Sequence, residues 1–92
     1  MPDRDEVQTL WHAKRKVHRL FDQLWRKGYC SRREAYRRLA DRLGIEDWHD
    51  CHIAWFDLDA CSRAYVAAAE LLEEAKRERR RAGRNLHRPA LD

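Results

Sequence analysis

Residues 31–44 read Ser31-Arg32-Arg33-Glu34-Ala35-Tyr36-Arg37-Arg38-Leu39-Ala40-Asp41-Arg42-Leu43-Gly44. The stretch opens with a capping box, in which the Ser31 hydroxyl accepts the amide three residues on and Glu34 reaches back. It closes on Gly44, a residue that tolerates the left-handed backbone ending a helix. Between them Ala35, Tyr36, Leu39, Ala40 and Leu43 make one apolar face. The opposite face carries Arg33 and Arg37, with Arg38 and Arg42 beside them. This is a helix with a start, a stop and one side to bury.

Its neighbours follow the same logic. Upstream, Val7, Leu10, Trp11, Val17, Leu20, Phe21, Leu24 and Trp25 form an apolar stripe that predicts a helix over 5–27, with Gly28 as its stop. Lys14 interrupts the stripe and is expected to lay its stem across it with the ammonium in water. Downstream, Asp57 reads as an N-cap. Leu58, Cys61, Tyr65, Ala68, Leu72 and Ala75 then recur at alternating steps, widened by Ala64 and Leu71, and predict a helix over 58–81 that ends at Gly83. That stripe is narrow and rich in Ala, so another helix can approach it closely. Between these helices, Ile45-Glu46-Asp47-Trp48 suggests a short helical turn and His52-Ile53-Ala54-Trp55-Phe56 an apolar loop. The expected fold is all-α: a small three-helix domain over 1–83, with an irregular connection at residues 45–56 and a basic C-terminal helix end. Residues 84–92 are expected to be a flexible basic tail.

A chain of 92 residues allows one domain, too small for a large internal cofactor cavity. Four Trp, three Tyr and two Phe are more than a disordered chain carries. No apolar run approaches the ~18–20 residues of a membrane span. The start, MPDRDEVQ, is too polar for a signal peptide. Three cysteines without a CxxC spacing fit a reduced, cytoplasmic protein better than a disulfide scaffold. The net charge of +4 conceals segregation: residues 45–75 hold eight Asp/Glu against Arg63 alone, whereas 28–44 and 76–92 are both basic.

From Val17 to Tyr65 the pieces His18-Arg19-Leu20-Phe21-Asp22-Gln23-Leu24-Trp25, Ser31 to Ala40, Leu43-Gly44-Ile45 and His52-Ile53-Ala54-Trp55-Phe56-Asp57 with Cys61 stand in a distinctive order. In that order they resemble the C-terminal half of a zinc-finger-containing family of unknown function, common in phages and prophages. The His-Ile-x-x-Phe-Asp-x-x-x-Cys stretch is its most specific part. The family's cysteine finger normally precedes this region and is missing here, and Ala54 stands where the family usually has Gly. The resemblance implies a compact helical module of phage or mobile-element origin and supplies no activity.

Three groups of residues are candidate sites. His49, Cys51, His52 and Cys61, with Cys30 able to approach in space, are zinc-ligand types without the tight C-x₂₋₄-C pair of a structural site, so no cofactor is expected. Cys61 equally fits the core stripe, and His52 a hydrogen-bonded place beneath the Trp55–Phe56 loop. The same residues lack an oxyanion loop or an orienting Asn, so no enzyme and no small-molecule substrate are expected. Trp48 and Trp55 fit either a partner anchor or the core. Residues 36–56 also read as helix-turn-helix, but a second helix over 47–56 would carry Asp47 and Asp50, preceded by Glu46, and no Lys or Arg.

The basic surface is the leading candidate. Arg33, Arg37, Arg38 and Arg42, joined by Lys14, Arg15 and Arg19, would form one face, extended by Arg77, Arg79, Arg80, Arg81 and Arg84 as an arm. Such a face suits phosphates, with affinity that falls steeply with salt. A solvated surface matched to the acidic segment is the bland alternative. Two functions follow: a nucleic-acid-binding protein, or a modulator of a host protein or nucleoprotein complex, such as an inhibitor of a bacterial defence (anti-CRISPR-type) system.

Overall fold

The capping chemistry of residue 31 appears as the sequence predicts, with the Ser31 hydroxyl accepting the Glu34 amide at 3.0 Å. Glu34 turns its carboxylate to Arg38 at 3.2 Å rather than back to the cap, so half of the box is made. At the other end Gly44 adopts φ +74°, and the Ile45 amide reaches Ala40 O at 2.9 Å. The computed structural model describes residues 4–87. Within them α1 spans Arg4–Phe21, α2 Gln23–Arg26, α3 Arg32–Leu43 and α4 Leu58–His87. Two 3₁₀ turns, Trp48–Asp50 and Ile53–Trp55, stand between α3 and α4. The fold is all-α with three principal helices, as the periodicity predicts.

The single turn α2 continues α1. The Asp22 amide still bonds to His18 O and the Arg26 amide to Asp22 O, so the break at Asp22 is a local tightening rather than a reversal. Gly28, at φ +75°, then turns the chain. The irregular connection is held from inside: Cys51, Ile53 and Phe56 are buried, and Asp57 caps α4 by accepting the Ala60 amide at 2.8 Å. The expected helical turn lies a few residues later than Ile45–Trp48, and no α-helix forms over 47–56. Successive inward anchors at 51, 53 and 56 pull that segment onto the core and prevent a helical register.

The core joins Val17, Phe21 and Leu24 to Ala35, Leu39 and Ala40, with Ile53 below and the small-residue face of α4 behind. Phe21 and Tyr36 meet edge to face, 4.8 Å between centroids, a geometry worth about 0.5–1.5 kcal/mol beyond burial. α1 and α4 run in the same direction. Ala13 to Gln23 face Cys61 to Val66 across a groove, and Lys27 beyond α2 receives Arg79.

Two apolar assignments change. On α4 the buried residues are Cys61, Ala64, Ala67, Ala68, Leu71, Leu72 and Ala75, whereas Leu58 and Tyr65 are exposed. Two alternating registers share Cys61, Ala68 and Ala75. The one centred on Ala64 and Leu71 lets α1 approach more closely and leaves the Tyr65 hydroxyl in water. On α1, Val7 and Trp11 are exposed. Lys14 already lies level with Ala54, so the first turns of α1 extend past the start of α4, and Val7 and Trp11 are not covered by it.

The helix also passes Gly83 and continues to His87. The part of the expected tail at 84–87 is therefore helical, and 88–92 lies outside the described residues. A helix of 30 residues is about 45 Å long, and its last buried residue among the described side chains is Ala75. The radius of gyration of 16.6 Å exceeds the roughly 12 Å of a compact chain this long, because α4 overhangs the bundle.

Candidate functional site

The arginines of α3 do not share one face. Arg33 and Arg42 are nine residues apart, two and a half helical turns, and so point in opposite directions. Arg42 turns to α4, where its guanidinium holds Glu70 at 2.9 Å and also Glu74. These carboxylates hold the Arg42 pKa above its ordinary value, the Glu74 hydrogen bond contributing most. Arg38 pairs with Glu34. Two of the four expected phosphate ligands on α3 are therefore engaged with acids of the same chain. Arg33 and Arg37 lie on the other flank. Arg33 stands over the Trp48 ring at 5.6 Å, and Arg37 is exposed without an acidic partner among the described residues.

The α1 cations also separate. Lys14 Nζ donates to Ala54 O at 2.6 Å in an exposed hydrogen bond that fastens the second 3₁₀ turn to α1. Arg15 lies over Trp11 at 5.0 Å, and Arg19 is exposed further round the helix. At the far end of α4, Arg77, Arg80 and Arg81 are exposed. Arg79 is exposed too but engaged within the chain: it donates to Lys27 O at 3.0 Å and covers the Tyr29 ring at 3.8 Å. The Arg84 side chain lies outside the described ones.

What the fold does bring together is an open cleft of about 600 Å³ between the start of α3, the middle of α1 and both 3₁₀ turns. Arg32, Arg33 and Tyr36 come from α3, His18 from α1, and Trp48, His49 and His52 from the connection. Arg32 sits within 5.7 Å of the Tyr36 ring and 5.6 Å of the Trp25 ring. His49 stacks on Trp48 at 3.9 Å between centroids, and its Nδ1 donates to Asp47 at 2.7 Å. Hydrogen bonds from the His49 amide and imidazole hold the Asp47 carboxyl below its usual range, so it is an anion turned towards His49. His18 Nδ1 lies 3.0 Å from Lys14 O. A carbonyl only accepts, so Nδ1 carries the proton and Nε2 is left to the cleft.

The candidate zinc ligands are dispersed. Cys51 and Cys61 are buried, while His49 and His52 are exposed. His52 lies against Trp55 rather than beneath it, 4.0 Å between centroids. Among the described residues no group of three or more His, Cys, Asp or Glu could hold a metal ion. Burial pushes the Cys51 thiol up to about 11. It also raises Cys61, more than Lys14 lowers it, and Cys30, more than Arg38 lowers it. Zinc binds thiolates, so these residues do not fit it. Iodoacetamide at mildly alkaline pH is expected to modify Cys30 first, with Cys51 and Cys61 reacting only after unfolding. Peptide mass spectrometry reads this, and early labelling of Cys51 would contradict its burial.

Of the cleft, residue type pointed to Arg33 and Trp48. His18, Arg32 and Tyr36 were missed as site residues, because only the tertiary fold sets α1 beside the start of α3. Trp55, the other aromatic candidate, is 74% exposed, and Trp11 is 54% exposed. No helix among the described residues is long and apolar enough to cross a membrane.

No curated protein and no solved structure matches the chain. A family model described as a zinc-finger-containing domain (DUF3268) matches residues 6–71, which include the whole segment from Val17 to Tyr65 that carries the resemblance. With more than half of its length matched, the chain belongs to this family.

Proposed function

We propose that this chain is a small non-enzymatic protein of phage or mobile-element type that binds nucleic acid through its cationic and aromatic cleft. The observation that carries the reading is the meeting of Arg32 and Arg33 with Trp48, Tyr36 and His18 in one open cleft. Guanidinium groups offer phosphate a planar set of donors, and rings beside them offer a surface to bases. Arg37 continues the cationic line, and Arg77, Arg80 and Arg81 supply a second basic surface on the overhanging helix. The phage setting rests on the resemblance.

Fluorescence anisotropy with labelled oligonucleotides tests the reading. Three phosphate contacts predict an affinity loss of roughly 20- to 40-fold between about 50 and 200 mM salt. Absence of binding at the lower salt would sink the reading.

The exposed rings of Trp11 and Trp55 favour a second reading, a modulator that docks on a host complex, as an inhibitor of bacterial defence does. A stoichiometric partner retained from a bacterial lysate after nuclease treatment, and little affected by salt, would select it.

A further inference from the structure

The geometry points to unpaired nucleotides, rather than duplex, as the ligand of this face, with Trp55 as the stacking platform. This rests on the nucleic-acid reading and narrows it. The connection alternates its side chains with purpose. Cys51, Ile53 and Phe56 point inward and are buried, while on consecutive 3₁₀ turns Trp48 is half-buried against the core and Trp55 stands outside. Lys14 ties the second turn down through Ala54 O. The two indoles are thus carried on a backbone fixed from both sides. Each has an imidazole against it, His49 at 3.9 Å and His52 at 4.0 Å, and Arg33 stands over Trp48.

An indole that is 74% exposed yet mounted on buried anchors is a ring presented to something flat. The faces of nucleobases meet that description only when the bases are unstacked. Duplex reading would need an element that enters a groove. Beside this cleft the chain offers two single 3₁₀ turns, preceded and occupied by Glu46, Asp47 and Asp50, whose charge opposes insertion among phosphates. Arg33 and Arg37, one turn apart on α3, suit the backbone of a strand whose bases turn towards the Trp55 indole.

The test uses the full chain and four probes of equal phosphate number: single-stranded DNA, single-stranded RNA of the same sequence, an abasic strand and a duplex. The expected result is binding of one or both single strands about tenfold tighter than of the abasic strand or the duplex, with quenching of tryptophan fluorescence. Trp55→Ala removes an exposed ring, so folding is retained, and it should lower single-strand affinity towards the abasic value without changing the salt slope. Trp55→Phe should restore part of the loss. The DNA and RNA arms identify which sugar is preferred. Equal affinity for the abasic strand or the duplex, or an unchanged affinity in Trp55→Ala, overturns stacking while leaving phosphate binding standing. Binding to none of the four overturns the underlying reading as well.

Discussion

Phe21→Ala is expected to remove a large share of the stability of the fold. The side chain is fully buried at the junction of α1 and α3 and meets the Tyr36 ring edge-on. Its truncation removes apolar contact and opens a cavity, costing about 3–5 kcal/mol. A domain of this length has roughly 5–14 kcal/mol in total, and its core has few other large side chains. Leu24, Leu39 and Ile53 are the main ones, and much of the α4 face is alanine. That face cannot collapse into the void, because alanine has no longer rotamer to offer. Urea unfolding followed by circular dichroism measures the loss. A cost below about 1.5 kcal/mol, the range of well-tolerated swaps, would show that α1 does not seat on α3 as described. Trp55→Ala in the same assay should change little.

The second large effect concerns binding. Arg33→Glu combined with Arg37→Glu is expected to lower nucleic-acid affinity roughly 100-fold at low salt and to flatten the salt slope by about two. Both residues are exposed on the flank of α3 next to the cleft, so folding is retained. Arg42→Gln is the contrasting variant. Arg42 is already held by Glu70 and Glu74, so its loss should leave affinity nearly unchanged and lower the melting temperature slightly. Equal losses of affinity for the two variants would mean that the basic residues act as a diffuse cloud rather than through the cleft.

The elements of this fold that were legible in the sequence are those set by local chemistry. Ser31, Gly44, Gly28 and Asp57 mark boundaries because each satisfies or frees backbone groups within a few residues. Gly83 carries the same signal yet does not stop α4. Glycine inside a helix costs only about 1 kcal/mol, and here it is flanked by helix-forming Arg and Ala. The register of α4 was ambiguous because two alternating patterns overlap, and only the approach of α1 selects between them. The separation of Arg33 from Arg42 was present in their spacing. Their different partners were not, because Glu70 and Glu74 are distant in sequence. The cleft was legible only as residue types, since its walls come from three segments that local rules do not join.

The overhang of α4 has a thermodynamic meaning. Among the described side chains beyond Arg79 none is buried, and short helices without tertiary packing are marginal in water. The winding of this end therefore rests on local helix propensity and on whatever binds it. Arg77, Arg80 and Arg81 give it a positive charge density that is higher when the turns are wound than when they are extended. Any polyanion that prefers the wound form raises its population, and by linkage the wound form raises the affinity by the same factor.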